Sequence, residues 1–100
     1  MTSAALAIDG GTMSVSGVLD FASVLDIDAR GRQWLAGDAP ANCVIDLGAV
    51  SYSSSVGIAL VLGWMRSALQ AGRTVTLANV PADMLALARV GGLETLFAGN

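Results

Sequence analysis

The sequence contains no histidine and no lysine. Without histidine there is no imidazole to act as a general base or as a metal ligand. Without lysine the chain lacks the cation that P-loops place against nucleotide phosphates. These two absences exclude most hydrolases, metal centres and nucleotide-binding motifs. We therefore predict a protein with no catalytic residue, no metal site and no cofactor.

Charged residues are scarce, at 13% of 100 residues, and the net charge is −3. All five basic residues are arginine and they are scattered along the chain, so the sequence forms no basic patch. This distribution argues against binding to nucleic acid or to an anionic membrane surface. Hydrophobic residues make up 54% of the chain, which excludes disorder and predicts an unusually apolar surface. Such a surface is typical of a protein that functions while bound to a partner protein.

Cysteine and long apolar runs are also rare. Cys43 is the only cysteine, so no internal disulfide can form, and we predict a small buried thiol in a reducing compartment. The longest apolar run, residues 56–65, is far shorter than the ~20 residues of a membrane span. Residues 1–6 lack the basic and apolar parts of a secretory signal. We expect one cytoplasmic domain, residues 1–100, without direct membrane insertion.

Turn residues and hydrophobic spacing divide the chain into alternating strands and helices. Strands are predicted over residues 4–8, 12–18, 43–47 and 73–78. Asp20 is predicted to cap a helix that ends within 36–40, and further helices are predicted over 56–71, 81–90 and 93–97. This order predicts an α/β fold, a mixed four-stranded sheet with three to four helices packed against it.

Three consecutive serines connect the central strand to the longest helix. Ser53, Ser54 and Ser55 directly precede the apolar run that begins at Val56. A hydroxyl at this point can accept a free N–H group of the first helical turn, so Ser54 or Ser55 is expected to cap the helix. The partial positive charge at a helix start also suits an anion or a phosphorylated hydroxyl. We place the function of the protein at this serine turn.

Several kinds of site fit a serine turn of this type. Residues 53–57 differ by one residue from the G-x-S-x-G nucleophile elbow, but the hydrolase mechanism needs the histidine that the chain lacks. A catalytic pair of Asp46 with a serine is disfavoured because nothing supplies a suitable base, and Asp46 is expected to end the strand or to bond the turn. Phosphorylation at Ser55 or docking of a protein partner are the two hypotheses that remain.

The predicted helix over residues 56–71 has two apolar stripes. One stripe is expected to face the sheet, and it consists of Ile58, Val61, Leu62, Met65, Ala68 and Leu69. The second stripe contains Leu60 and Trp64. For Trp64 two interpretations stay open, since it can pack against another helix in the core or extend a docking surface.

The motifs in this chain resemble those of STAS domains (sulphate transporter and anti-sigma factor antagonist). Residues 50–58 read Val-Ser-Tyr-Ser-Ser-Ser-Val-Gly-Ile and follow Asp46-Leu47, which is similar to the signature strand, turn and helix start of that family. Gly17-Val18-Leu19-Asp20 resembles the family's Gly-Glu-Leu-Asp, and residues 87–93 resemble its late Leu-…-Gly-Leu stretch. The likeness covers nearly the whole chain and implies the same fold class.

The resemblance also implies a function. Ser55 matches the phosphoacceptor or functional Ser/Thr of the family, whereas Ser54 stands where the family usually has Asp. Among STAS domains the chain most resembles the MlaB-like subunits of Mla-type ABC transporters, which traffic phospholipids and maintain outer-membrane lipid asymmetry. Such a subunit is non-catalytic, binds the ATP-binding-cassette ATPase, supports its assembly and activity, and is peripheral to the inner membrane through that partner.

The resemblance leads to one predicted docking surface and one alternative function. The surface is predicted to consist of Tyr52, Ser53, Ser54, Ser55, Gly57, Leu60 and Trp64. The alternative is an anti-sigma factor antagonist that an anti-sigma factor kinase switches by phosphorylating Ser55. Neither function requires nucleic acid.

Overall fold

The fold is built on a four-stranded mixed sheet, as predicted. A computed structural model describes residues 4–97. The strands are β1 (Ala5–Asp9), β2 (Thr12–Leu19), β3 (Asn42–Ser53) and β4 (Thr74–Ala78), in the spatial order β1-β2-β3-β4. β1 and β2 form an antiparallel hairpin, whereas β2, β3 and β4 are parallel. Parallel neighbours need crossover connections, and those that join β2 to β3 and β3 to β4 each contain a helix that packs against the sheet.

Within residues 4–97, four helices accompany the sheet in the predicted order. They are α1 (Val24–Ala36), α2 (Ser55–Gln70), α3 (Ala82–Val90) and α4 (Glu94–Phe97). α1 and α2 pack side by side, and α2 also contacts β3, β4 and α3. Gly72 follows α2 with φ +77°, which confirms the predicted glycine stop. Among the described residues no helix has the length and apolar character needed to cross a membrane.

The core lies between the helices and one face of the sheet. Met13, Val15 and Ile45 point into it and are fully buried, whereas Ser14 and Thr76 alternate with such residues and point to the other face. This period of two is what a sheet with one solvent-facing side requires. Cys43 is buried in the core, as predicted, and burial raises the pKa of its thiol.

β3 is longer than predicted. The sequence predicts a strand that stops at Leu47, but β3 continues to Ser53. Its pairing with β2 shifts twice, because β3 has one residue more than β2 between Asp46 and Ala49 and one more between Val50 and Tyr52. Each extra residue is a β-bulge, and the spacing of buried residues changes there from two to three. The bulges carry the strand up to the serine turn and aim Ser53 into the core.

Trp64 lies in the core between α1 and α2. Its side chain is 0% exposed, and its Nε1 donates a hydrogen bond to the Asp28 carbonyl oxygen over 3.2 Å. Gly31 on α1 makes the approach possible, since an added Cβ would lie 2.5 Å from Trp64 Cε2. Leu60 is buried as well. The prediction that these two side chains belong to a docking surface is therefore wrong, and the core-packing alternative for Trp64 is confirmed.

The predicted sheet-facing stripe of α2 is confirmed for most of its members but not for Leu69. Ile58, Val61 and Ala68 are buried, and Leu62 and Met65 are half-buried against the core. Leu69 is 75% exposed, because it lies near the last turn of α2, beyond the cover of neighbouring elements. α2 is apolar on most of its circumference, so its sequence alone does not define one buried face.

Candidate functional site

The serine turn joins the end of β3 to the start of α2. Ser54 is the N-cap of α2, and its Oγ accepts a hydrogen bond from the Val56 amide over 3.2 Å. Its own amide donates to the Leu19 carbonyl oxygen at the end of β2, over 3.0 Å. The predicted capping role of Ser54 is confirmed. The first bond joins the turn to α2, and the second joins it to the end of β2, the parallel neighbour of β3. The backbone of the turn is therefore held in place from both sides.

The three hydroxyls of the turn have different environments. Ser53 is buried, and its Oγ donates to the Ser54 carbonyl oxygen over 2.9 Å. Gly57 makes room for it, because an added Cβ would overlap the Ser53 hydroxyl and lie 3.1 Å from Leu19 Cβ. Ser53 and Gly57 therefore support the turn from inside, and the prediction that they contact a partner is wrong.

Ser55 is the residue that presents its hydroxyl outward. It is the first residue of α2, its side chain is exposed, and its hydroxyl makes no hydrogen bond to any residue within 4–97. Ser54 is half-buried because it caps the helix. Of the three serines, Ser55 is thus the one accessible to a kinase or to a docking protein.

Exposed apolar side chains flank the turn on the α3 side. Tyr52 is 54% exposed and Val90 is 89% exposed. Together with Leu87 they border an open groove of about 400 Å³ whose lining also includes Ser54 and Asp83. A rigid aromatic ring beside an open groove is a common anchor of protein interfaces.

A second apolar flank lies at the start of α1. Asp20 and Ser23 bond each other reciprocally: Asp20 Oδ1 accepts from the Ser23 amide over 2.9 Å, and Ser23 Oγ accepts from the Asp20 amide over 2.9 Å. The hydrogen bond that the Ser23 amide donates lowers the pKa of the Asp20 carboxyl. Asp20 therefore caps the turn that precedes α1, whereas the N-cap residue of α1 itself is Ser23, whose side chain makes no capping bond, so the predicted cap is displaced by one turn. It fixes Phe21, which is 76% exposed, two residues from the Leu19 carbonyl that anchors Ser54.

We define the serine-turn surface as Phe21, Tyr52, Ser54, Ser55, Leu87 and Val90. Of these residues, the sequence alone predicts only Tyr52, Ser54 and Ser55 as part of a docking surface. Phe21 fits a helical apolar stripe, and Leu87 and Val90 read as ordinary members of an apolar helix, so the sequence carries no signal that they are exposed. Their exposure depends on which elements pack beside them.

Two acidic residues lie beside the serine turn. Asp20 and Asp83 are the carboxylates beside the turn, and neither has an imidazole or an amine partner, because the sequence has no histidine or lysine. Asp46 lies within β3 and accepts hydrogen bonds from the Gly48 amide over 2.9 Å and from Asn79 Nδ2 over 3.2 Å, so the expectation that it ends the strand or bonds the serine turn is wrong. Among the described residues no three metal-ligating side chains cluster.

Comparison with known proteins gives one family and several solved structures with the same fold. A family model described as "Mlab, STAS domain" matches residues 4–98. The anti-sigma factor antagonist SpoIIAA in its unphosphorylated form is 23% identical with a TM-score of 0.72, over 93% of this chain and 84% of that chain. The phosphorylated form of the Bacillus cell fate determinant SpoIIAA is 25% identical with a TM-score of 0.67, over 93% of this chain and 86% of that chain.

An anti-sigma factor antagonist from Mycobacterium paratuberculosis is 21% identical with a TM-score of 0.70, over 97% of this chain and 83% of that chain. No curated protein matches the sequence significantly. STAS domains are typically non-catalytic binding domains that mediate protein–protein interactions. Because the family model spans nearly the whole chain and the solved structures share its architecture, this chain belongs to the STAS domain family described as Mlab.

Proposed function

We propose that the chain is a non-catalytic subunit that binds the ATP-binding-cassette ATPase of an Mla-type phospholipid transporter and supports its assembly and activity. The observation that carries this proposal is the exposed hydroxyl of Ser55 at the start of α2, next to a turn that exposed apolar side chains flank. The family description supports the transporter class. In this function the protein is peripheral to the inner membrane through its partner.

The arrangement of the serine-turn surface fits docking better than catalysis. Tyr52 and Val90 offer apolar area in a groove that Ser54 also lines, and the exposed hydroxyl of Ser55 follows Ser54 at the start of α2. An interface of this kind has an apolar centre that excludes water around a few oriented polar contacts. Serine at position 54, where the related domains usually have Asp, leaves Ser55 without a neighbouring carboxylate at that position, which favours constitutive docking over kinase control.

Replacing Ser55 with glutamate is expected to abolish co-purification with the transporter ATPase while the domain stays folded. A carboxylate at the first position of α2 is favoured by the helix dipole, so the fold is retained. At the interface the same carboxylate would be buried without a cationic or hydrogen-bonding partner, and this burial costs several kcal/mol. The measurement is affinity purification of tagged chain with the cognate ATPase, together with thermal unfolding of the isolated variant.

The matched control is Ala7→Glu, which introduces the same charge on an exposed position of the sheet. Ala7 lies on the edge strand β1 opposite Ser14, at the end of the sheet remote from the serine turn. This variant is expected to co-purify normally. Normal co-purification of Ser55→Glu would remove the serine turn from the interface, and loss with both variants would indicate a general effect of charge.

A second function has its own supporting observation. Ser55 is accessible, it lies at a helix start where the dipole favours added negative charge, and solved structures of the same fold include an anti-sigma factor antagonist in phosphorylated and unphosphorylated forms. In this alternative an anti-sigma factor kinase phosphorylates Ser55 and thereby releases or blocks the partner.

Intact-mass measurement distinguishes the two functions. If the chain is a docking subunit, incubation with a cognate anti-sigma factor kinase and ATP is expected to leave its mass unchanged. A gain of one phosphoryl group that disappears in Ser55→Ala would establish the switch instead. A gain that persists in Ser55→Ala would place the modification elsewhere and would support neither function.

A further inference from the structure

β4 is an edge strand whose outer side is unpaired. It pairs with β3 alone, and the Thr74 amide donates to the Ala41 carbonyl oxygen on that side over 2.7 Å. Successive residues of a strand direct their main-chain groups to alternate sides, so Val75 and Leu77 direct theirs away from β3. None of these N–H and C=O groups bonds another described residue. Proteins usually protect such an edge with lysine, proline or a bulge, and β4 has none of these.

An apolar groove runs along this free edge. Leu62, Met65 and Leu69 of α2 and Leu96 of α4 line it beside Val75, and its volume is about 430 Å³. A second groove continues it along β4 past Leu77. Leu69 and Leu96 are exposed large apolar residues. A strand added to this edge would place every second side chain in this apolar groove. Contacts of that kind give added strands their sequence specificity.

The groove carries positive charge at one end. Arg66 and Arg73 line it there, next to the start of β4, and no acidic residue contributes to its lining. Arg73 donates to the carbonyl oxygens of Ala39 and Gly37, both over 2.7 Å, and of Ala71 over 3.4 Å, so its guanidinium is held by neutral acceptors and Arg66 is the arginine of the groove that is free to meet a carboxylate. Within residues 4–97 neither arginine has a carboxylate within the 4.0 Å of an ion pair.

We propose that the free edge of β4 binds an extended segment of a partner protein as a fifth strand, antiparallel to β4, with a carboxylate at the C-terminal end of that segment. An antiparallel strand places its C-terminal end beside the start of β4, where Arg66 and Arg73 lie, whereas a parallel strand would place its N-terminal end there. The positive charge therefore selects the antiparallel direction. This docking mode goes beyond the proposed function and does not depend on the serine turn.

A second copy of the chain is a poorer occupant of the same edge. Antiparallel pairing of two β4 strands would bring residues 73–79 of one copy against the groove of the other. That segment contains no acidic residue, so neither arginine would gain a carboxylate from it. A partner segment that ends in a carboxylate satisfies both the free main-chain groups and the charge.

The test uses a short synthetic peptide of alternating threonine and valine with a free C-terminal carboxylate. Its binding to the full chain is measured by fluorescence anisotropy, and protection of the Val75 and Leu77 amides is measured by hydrogen exchange. Two matched peptides carry either a C-terminal amide or N-methyl groups on the residues that would pair. We expect the free-acid peptide to bind and to protect both amides, and the amide and the N-methylated peptide to bind about tenfold more weakly or worse.

Two variants test the same surface from the protein side. Arg66→Glu is expected to weaken binding of the free-acid peptide about tenfold, whereas the exposed control Arg30→Glu on α1 leaves it unchanged. Val75→Pro removes one outward amide without touching the bonds to β3, and proline is tolerated at such an edge position. This variant is expected to fold and to lose the peptide.

Several results would overturn the proposal. One is the absence of binding up to about 1 mM peptide, which corresponds to negligible affinity. Another is equal binding of the free-acid and N-methylated peptides. Concentration-dependent self-association that protects Val75 and Leu77 without peptide would assign the edge to a second copy. None of these results bears on the Ser55→Glu experiment, so the two proposals fail separately.

Discussion

Replacing Trp64 with alanine is expected to lower the free energy of unfolding by about 3–5 kcal/mol, the range for a buried aromatic side chain. Trp64 is 0% exposed, so its removal leaves a cavity between α1 and α2 and also deletes the bond to the Asp28 carbonyl. Because domains of this size are stable by only about 5–15 kcal/mol, the variant is expected to be largely or partly unfolded near 37 °C. Urea denaturation followed by circular dichroism measures the change.

Two controls vary the size of the side chain at position 64 and the position of the aromatic ring that is removed. Trp64→Phe retains much of the apolar volume and is expected to lose less stability than Trp64→Ala. Tyr52→Ala removes an aromatic ring that is exposed, and its cost is expected to stay below about 1 kcal/mol. If Trp64→Ala unfolded at the same urea concentration as the parent chain yet lost the ATPase, the ring would have to lie on the docking surface after all.

The order of the elements was predictable because the signals that set it are local. Gly10 lies in the β1–β2 turn with φ +60°, and Gly72 ends α2 with φ +77°, two backbone conformations in which glycine alone is unstrained. The cap at Ser54 follows from the same kind of local chemistry, since a hydroxyl needs only the next residues of its own chain to bond. Such features are encoded within a few residues.

The length of β3 was not predictable by periodicity. Gly48 and Ser51 interrupt the apolar pattern and read as the start of a loop, and the spacing of buried residues changes at both bulges. A bulge exists only in relation to the partner strand, and β2 is separated from β3 by the whole of α1. The missing information is therefore long-range, and the sequence around Gly48 does not contain it.

The exposure of apolar side chains was the least predictable feature of the candidate site. Trp64 and Leu69 are both large, apolar and located on α2, yet one is in the core and the other is exposed. The difference arises because α1 brings Gly31 against Trp64, while no element covers Leu69. Phe21 and Val90 follow the same rule, since their neighbours in space and not in sequence decide whether a partner can reach them.

Tyr52→Ala is expected to weaken binding to the transporter ATPase by about 30- to 1000-fold, which corresponds to the ~2–4 kcal/mol of an aromatic hot spot. Tyr52 lies on β3 between the second bulge and the buried Ser53, so a paired strand holds its ring in place. The ring borders the groove that Val90 also lines. Little ordering entropy is then lost when a partner covers it. The dissociation constant of the purified pair, measured by titration calorimetry, checks the prediction.

The matched control for this prediction is Ile8→Ala, which trims another exposed apolar residue of the sheet. Ile8 lies on β1, at the opposite edge from β4 and beside Met13 near the start of β2, so it is remote from the serine turn. Its replacement is expected to change the dissociation constant by less than about twofold. Equal losses in the two variants would mean that the partner covers the sheet broadly. An unchanged affinity for Tyr52→Ala would place the interface on another surface, because a rigid exposed ring at the centre of a contact cannot be removed without effect.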